Sequence, residues 1–304
     1  MCAQQQQMSV MNRSINKLRQ YGYNARHTYS RFDLSARISI WIVGIIVLMS
    51  IFAPLLAPHD PNIQNYEQSL ASPSFEHPLG TDLTGRDILS RLIYGGRISL
   101  MVGLGAVGIA AGIGLPIGSI AGFKGGWTDE FLMRIMDVIL SFPALVLALA
   151  IIGAVGPSLT NIIIVIGVVY SPQYARLIRG SVLSVKEEEF VEAAENTGLS
   201  QMSVLRKHII PNSLTPVIVQ ATFHIATAIL AEAALSFLGL GVQPPTASWG
   251  IMIADGRNYL PDQWWISTFP GIAIMVTVLA FNLFGDGLRD EFDPRSDTSA
   301  GPNT

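Results

Sequence analysis

Long apolar runs separated by polar stretches dominate the pattern of this chain. A helix needs about 20 apolar residues to cross a bilayer core of about 30 Å, and six runs approach or exceed that length. They are residues 38–57, 99–122, 131–152, 162–177, 212–235 and 266–284. The third and fourth runs are separated by the turn-forming stretch GAVGPSLTN at residues 153–161. The pattern predicts an all-α, polytopic membrane protein with six transmembrane helices.

The polar stretches set the predicted domain boundaries. They give an N-terminal tail at residues 1–37, a transmembrane domain at 38–285 and a C-terminal tail at 286–304. Within the transmembrane domain, the longest polar segments are residues 58–98 and 178–211. The first apolar run follows a long polar tail and precedes further spans, so we expect a retained anchor rather than a cleaved signal peptide.

The basic residues predict the orientation of these segments. Fifteen of the 19 Lys and Arg residues lie in the two tails, in the loop between the second and third spans, and in and around segment 178–211. Basic residues concentrate on the cytoplasmic side of membrane proteins. Both tails and segment 178–211 are therefore predicted to be cytoplasmic, and segment 58–98 external.

Composition agrees with this class. Half of the residues are apolar and 13% are charged, against about 25% charged residues in soluble domains. The single cysteine, Cys2, excludes a disulfide framework within the chain and a zinc site built from cysteines.

Segment 178–211 contains the most informative polar sequence, VEAAENTGLSQMSVLRKHIIP at residues 191–211. Ser184 and Glu187 have the spacing of a capping box that starts a helix. Gly198 can take the left-handed conformation that ends one, and Pro211 suits the first turn of the following span. The pattern predicts two short helices joined at a glycine.

One face of the first short helix could enter a groove of another protein. Ala193 and Ala194 leave a nearly flat side, Phe190 and Val191 supply apolar contact, and Glu192 supplies a charge. The alternative is an amphipathic helix that rests on lipid headgroups.

The spacing of this segment resembles the EAA loop of ABC-importer permeases, E-A-A-x3-G-x9-I-x-L-P. His208 and Ile210 depart from the preferred Ile and Leu. Three further blocks resemble the second permease type of the dipeptide/oligopeptide/nickel family. They are HPLGTDLTGRDILSRLIYGGRISL (77–100), EAALSFLGLGVQPPTASWGIMI (232–253) and FPGIAIMVTVLAFNLFGDGLRDEFDPR (269–295). The resemblance covers about residues 38–295 and implies a type I ABC importer permease fold.

The resemblance also implies partners and a site. The chain would form a heterodimer with a second permease in the bacterial cytoplasmic membrane, surrounded by lipid. Two cytoplasmic ABC ATPases would bind ATP and Mg²⁺, an extracytoplasmic solute-binding protein would deliver cargo, and no nucleic acid would be involved. The chain itself lacks the phosphate-binding pattern G-x-x-x-x-G-K-[ST] and needs no cofactor. The implied ATPase-coupling residues are Phe190, Val191, Glu192, Ala193, Ala194, Gly198 and Pro211.

Two polar residues of the fifth span are candidates for the transport pathway. Glu232 is an ionisable residue within a membrane segment, which favours a functional role, although structural anchoring is an equal alternative. His224 lies two turns earlier, and about 12 Å of helical rise prevents the two from sharing one ion. A neutral, hydrogen-bonded histidine is favoured there, and no metal site is predicted.

Three further patterns carry structural expectations. Arg134 and Asp137 have the spacing of a pair on one helix face. Two i,i+4 pairs predict a short, solvated surface helix in segment 58–98. They are Asp82 with Arg86 and Asp87 with Arg91. Small residues recur every four positions in the second span, which favours close helix packing within this subunit or with a second permease. They are Gly108, Gly112, Gly114, Gly118 and Gly122.

The sequence leaves several cargoes and two other functional classes to be weighed. The expected cargo is a di- or oligopeptide, and nickel, a metal chelate or a glutathione-like solute would need the same architecture. The five histidines show no H-x-x-H or H-E-x-x-H clustering. An ion-coupled secondary transporter would need coupling groups at mid-membrane. An intramembrane enzyme is disfavoured because H-E-x-x-H and G-x-S-x-G are absent, so we expect no enzymatic activity in this chain.

Overall fold

The computed structural model describes residues 33–292, which are almost wholly helical, so the all-α prediction is confirmed. The predicted tails lie largely outside this range. Five helices are long and apolar enough to cross a membrane. They are α1 (Leu34–Ile51), α3 (Ile88–Lys124), α6 (Leu159–Lys186), α10 (Thr215–Phe237) and α12 (Trp265–Phe292). The shorter helices are α2 (Ala53–Leu56), α4 (Gly126–Leu140), α5 (Ala144–Val155), α7 (Glu189–Asn196), α8 (Gln201–Val204), α9 (Ile210–Ser213) and α11 (Trp249–Gly256).

The span predicted at residues 131–152 is broken into two helices. The axes of α4 and α5 differ by 83°, and together the two helices are long and apolar enough for a sixth span. Pro143 lies in the break, where it lacks an N–H and disfavours a helical conformation in Phe142. The carbonyl of Pro143 then accepts from Leu147 N at 3.0 Å and starts α5. Because α5 has 12 residues, it rises only about 18 Å, less than a bilayer core.

Helices α3 and α6 form the most extensive helix pair in the bundle and run parallel. A Cβ atom on Gly118 would meet the carbonyl oxygen of Ala175 and the side chain of Ile178, so this approach needs glycine. Gly114 and Gly122 make similar contacts with α6. At Gly108 and Gly112, an added Cβ would have no atom within 4 Å. Part of the glycine stripe therefore packs within this subunit.

The long helices extend beyond their predicted spans. Helix α3 begins at Ile88 rather than at Ser99, and its 37 residues rise about 55 Å. Helix α12 continues to Phe292. Between α6 and α10 lies the elbow, residues 187–213, which contains α7, α8 and α9. Because α3 and α6 are parallel, the elbow lies at the end of the bundle where α3 ends.

Residues 57–87 lie at the opposite end of the bundle, where the predicted surface helix is wrong. Asp82 and Arg86 face each other across a turn, with Asp82 N donating to Arg86 O at 3.0 Å. Gly85 has φ +74°, and a Cβ there would strike the carbonyl of Asn65. The positive φ prevents a helix through this position. Asp87 instead caps α3, accepting from the backbone N of Ser90 at 2.7 Å.

Candidate functional site

The elbow turns at Gly198, whose φ of +80° matches the predicted left-handed conformation. Its backbone N donates to the carbonyl of Glu195 at 3.0 Å and ends α7. The hydroxyl of Ser200 then accepts from Ser203 N at 3.4 Å and caps α8. A π-helical turn at Leu205–Ile209 leads into α9. The chain therefore forms the predicted helix–glycine–helix arrangement.

The predicted capping box at the start of the elbow is wrong. Helix α6 continues through Ser184 to Lys186, and α7 begins at Glu189 without a side-chain cap. The buried Val182 packs against α3 in this last part of α6. Tertiary packing of α6 thus overrides the local capping signal.

One face of the elbow is fixed in the bundle. Val191 is 1% exposed, and it joins Val204, Leu205 and Ile209 in the main hydrophobic core. Ala194 is also buried. These placements correct the prediction that Val191 and Ala194 lie on a face offered to another protein.

The other face of the elbow is free in this structure. Phe190, Leu199 and Met202 are 45%, 41% and 47% exposed, and Ala193 is exposed beside them. Pro211 is exposed in α9. Five acidic side chains of the elbow are also exposed, namely Glu187, Glu188, Glu189, Glu192 and Glu195. The arrangement combines an apolar surface with a band of negative charge.

Glu232 lies fully buried in α10. Its Oε1 accepts from the hydroxyls of Ser236 at 2.7 Å and Ser248 at 2.8 Å. Ser248 also caps α11 by accepting from Ile251 N at 3.2 Å. Oε2 has no hydrogen-bond partner among residues 33–292. The carboxyl group therefore links α10 to the start of α11, the anchoring arrangement that the sequence left open.

His224 is 5% exposed between two tyrosine rings. The ring centroids of Tyr170 and Tyr174, both on α6, lie 5.2 and 5.1 Å from that of His224. His224 Nε2 is 2.9 Å from Nε2 of Gln220, one turn earlier on α10. The histidine thus packs at the α6–α10 contact.

The opposite end of the bundle contains a buried charge cluster. Asp82 accepts from Thr84 N at 2.9 Å, Arg86 N at 3.0 Å and Arg86 Nε at 2.6 Å. Arg91 Nε lies 3.5 Å from the same carboxylate, and Asp255 lies 3.9 Å from Arg86. Burial raises the pKa of the Asp255 carboxyl, while Arg91 and Arg86 act in the other direction. The expectation that these charges are solvated is therefore wrong.

The same end brings together His59, His77 and Asp87, whose ligand atoms lie within 4.8 Å of one another. Imidazole and carboxylate groups can bind zinc or nickel. Both ring nitrogens of His77 already have partners, with Asp87 Oδ1 and Gln68 Oε1 each at 2.9 Å. Hydrogen bonding thus positions His77, while His59 Nδ1 lies 3.8 Å from Asp87 Oδ2. The three residues are too far apart in sequence to form a recognisable metal-binding pattern.

Charged residues on α4 and α6 pair in a way that the sequence did not indicate. Arg134 Nη2 lies 3.3 Å from Glu130 Oε1, and Asp137 Oδ1 lies 2.7 Å from Arg176 Nη2. The predicted Arg134–Asp137 pair is therefore wrong. Only the fold reveals the second pair, because its members are 39 positions apart.

Comparisons with known proteins agree with this architecture. The sequence profile of the binding-protein-dependent transport system inner membrane component matches residues 114–298. That of the N-terminal TM domain of oligopeptide transport permease C matches residues 34–73. Among solved structures, an inward-facing conformation of the MetNI methionine ABC transporter has a TM-score of 0.56 at 19% identity. That match covers 68% of this chain and 98% of the other, and it supports the fold.

Relatives with higher identity span most of the chain. The probable D,D-dipeptide transport system permease protein DdpC of Escherichia coli (strain K12) is 48% identical over 84% of this chain and 86% of its own. The dipeptide transport system permease protein DppC of Alkalihalophilus pseudofirmus is 46% identical, covering 86% of each chain. The glutathione transport system permease protein GsiD of Escherichia coli O6:K15:H31 is 41% identical, covering 88% of each. The chain belongs to the family of binding-protein-dependent transport system inner membrane components, the permease subunits of ABC transporters.

Proposed function

We propose that this chain is a permease subunit of an ATP-driven importer that carries di- or oligopeptides across the bacterial cytoplasmic membrane. The elbow carries the proposal, because one face is fixed in the bundle while the other exposes Phe190, Leu199 and Met202. An exposed apolar surface of this kind favours a protein contact. The relatives named for dipeptide, D,D-dipeptide and glutathione transport support a peptide cargo.

The proposed assembly places the ATPases and the solute-binding protein at opposite ends of the bundle. A second, different permease lies beside this chain, and two cytoplasmic ATPases bind the exposed faces of the elbows. An extracytoplasmic solute-binding protein docks at the opposite end. Both tails are cytoplasmic, as the excess of Lys and Arg on that side supports. The ATPases hold ATP and Mg²⁺, and this chain is a transport subunit without catalytic chemistry.

The elbow would transmit motion because it is continuous with two long helices. Helix α6 enters it and α10 leaves it. Val191 and Ile209 belong to the same core cluster as residues of α3, α6 and α10. A displacement imposed on Phe190 and Met202 by an ATPase therefore moves packed helices rather than a loose loop. Packed cores rearrange between discrete states, which suits alternation between inward and outward access.

Site-directed crosslinking tests the docking of the elbow. Met202→Cys in a Cys2→Ser background should crosslink to an ATPase subunit in the assembled complex, since Met202 is exposed. Ser72→Cys, exposed at the opposite end, provides the matched control and should not crosslink to the ATPase. An elbow cysteine that reacts with no nucleotide-hydrolysing subunit would exclude the proposed role of the elbow.

Reconstituted transport tests the energy source and the cargo. The permease pair, the ATPases and the binding protein in proteoliposomes should take up a labelled dipeptide only with hydrolysable ATP. Uptake that persists without ATP and follows a proton gradient would instead indicate a secondary transporter. Glutathione is the second candidate cargo, favoured by the 41% identical relative. Competition by glutathione or by Ni²⁺, but not by dipeptides, would reassign the substrate.

A further inference from the structure

An open groove of about 810 Å³ lies between α4 and α6. Six charged side chains line it, and their charges sum to zero. They are Asp129, Glu130, Asp137, Arg134, Arg176 and Arg179. The six side chains form three ion pairs with one another.

The groove lies at the elbow end of the bundle. Helix α4 begins at Gly126, directly after α3 ends at Lys124. On α6, the carbonyl oxygen of Arg179 lies beside Gly122, in the last turn of α3. The break after Ser141 limits the groove at the end of α4. In the proposed orientation, the groove is a vestibule on the cytoplasmic side.

Two of the three ion pairs in the groove are weak. The side chains of Arg134 and Glu130 are 76% and 68% exposed, and those of Arg176 and Asp137 are 56% and 55% exposed. Exposed pairs of this kind contribute at most about 1 kcal/mol. A ligand that offers both an ammonium and a carboxylate group can therefore replace their partners at little cost.

The third pair has a different character. Arg179 donates from both Nε and Nη2 to the two carboxylate oxygens of Asp129. Bidentate pairs are the stronger and more directional kind. The side chains of Arg179 and Asp129 are 35% and 17% exposed, less than those of the other two pairs. The Arg179–Asp129 pair therefore holds α4 against α6. The members of the other two pairs can exchange their partners for a ligand.

The spacing of charges along α4 fits a short peptide. Glu130, Arg134 and Asp137 alternate in sign, and their positions differ by four and three residues. At 1.5 Å rise per residue, successive charges are about 6 and 4.5 Å apart along the axis. An extended dipeptide spans about 7 Å, so both of its termini can reach charges of opposite sign.

We propose that this groove binds the free termini of a zwitterionic peptide. The α-ammonium group pairs with one of two carboxylates, Asp137 or Glu130, which lie about 10 Å apart along α4, and the α-carboxylate pairs with Arg176. The inference rests on the proposed function and adds a cargo-contact site with a defined chemistry. A net-neutral groove with both signs favours a zwitterion over a free anion or a metal cation. A peptide without a charged terminus gains nothing by displacing either exposed pair.

Photolabelling of the assembled complex without the binding protein tests the site directly. A dipeptide with a diazirine side chain should label residues of the groove, such as Met133 or Val138, as located by mass spectrometry. The unlabelled dipeptide should compete, whereas its N-acetylated or C-amidated form should compete less, by up to about fivefold, the limit that corresponds to one exposed pair. Equal competition by capped peptides, or labelling that is not competed or lies outside the groove, would overturn the proposal.

Charge-neutral variants supply the second arm. Arg176→Gln should weaken labelling about fivefold and abolish the advantage of the free carboxylate. Lys124→Gln removes the same charge at an exposed position outside the groove lining and should label like the wild type. Unchanged labelling of Arg176→Gln would overturn the site. Loss of the second permease from the purified Arg176→Gln complex would assign the groove to the subunit interface and also overturn it. Absence of ATP-dependent peptide uptake by the wild type would instead refute the proposed function.

Discussion

The hydroxyl of Ser248 donates to Glu232 Oε1 across 2.8 Å and joins α10 to the cap of α11. Ser236, one turn after Glu232 on α10, donates to the same oxygen at 2.7 Å. The acidic group therefore serves as a hydrogen-bond acceptor for two buried hydroxyls. Its position in a membrane segment identified it as a candidate for the pathway, and its contacts favour an anchoring role.

This relationship predicts different outcomes for two substitutions of Glu232. Glu232→Gln keeps an acceptor oxygen for both serines, so the purified complex should retain its Tm and its uptake. Glu232→Ala leaves two buried hydroxyls without their acceptor, at about 1–3 kcal/mol each, and should lower the Tm markedly. Thermal unfolding followed by tryptophan fluorescence checks both. If Glu232→Gln abolished uptake while the Tm stayed unchanged, the carboxyl group would have a role in transport beyond anchoring.

The left-handed conformation of Gly198 gives a second prediction. An L-residue in this conformation is strained by about 1–2 kcal/mol, although the space around a Cβ at Gly198 is open. Gly198→Ala should therefore shift the elbow and reduce uptake and substrate-stimulated ATPase activity together, while membrane insertion survives.

Gly180 offers a matched control for the elbow. It also has no atom within 4 Å of an added Cβ, but it lies within helix α6 without a positive φ. Gly180→Ala should leave uptake and ATPase activity close to those of the wild type, because alanine favours a helix. Equal losses in both variants would show that the conformation of Gly198 is not what couples the elbow to ATP hydrolysis.

The sequence predicted the elbow well but could not assign its faces. The positive φ of Gly198 and the cap at Ser200 follow from local chemistry, and both are present. Val191 and Ala194 differ from Phe190 and Ala193 by one position, and each pair is apolar at i,i+3 spacing. A face that packs in the bundle and a face that receives a partner look alike in sequence. Only tertiary packing distinguishes them.

Pairing of charges was less predictable, because it depends on how helices cross. The local spacing suggested Arg134 with Asp137, yet Asp137 pairs with Arg176 on another helix. Helix α4 ends before the break at Pro143, and two of its aspartates, Asp129 and Asp137, pair with arginines of α6. A proline in an apolar run indicates a break in the helix. The angle of 83° between α4 and α5 depends on the surrounding helices.

Close packing of α3 against α6 gives a third prediction. In Gly118→Ala the added methyl group meets the backbone of Ala175 and the side chain of Ile178, and overpacking of this kind costs about 1–3 kcal/mol. The Tm of the complex should fall. Gly112→Ala, six residues earlier on α3 with open space around it, should be neutral in a thermal unfolding measurement. A similar loss of stability in both variants would contradict the packing role of Gly118.

The charges at the end opposite the elbow give the last prediction, a contrast between the buried Asp82 and Asp255, whose side chain is 33% exposed. Asp82→Asn removes the charge that balances Arg86 and Arg91, and breaking a buried pair costs about 3–5 kcal/mol. The Tm of Asp82→Asn should fall strongly.

Asp255→Asn should be neutral or stabilising at pH 7, because burial raises the pKa of the Asp255 carboxyl and penalises its charged form. The stabilising contribution of such a group is complete below its unfolded pKa and is lost as pH rises through its raised folded pKa. The Tm difference between Asp255→Asn and the wild type should therefore shrink as the pH is lowered toward 4. A fall in Tm of Asp255→Asn at pH 7 as large as that of Asp82→Asn would show that Asp255 is an essential counter-charge instead.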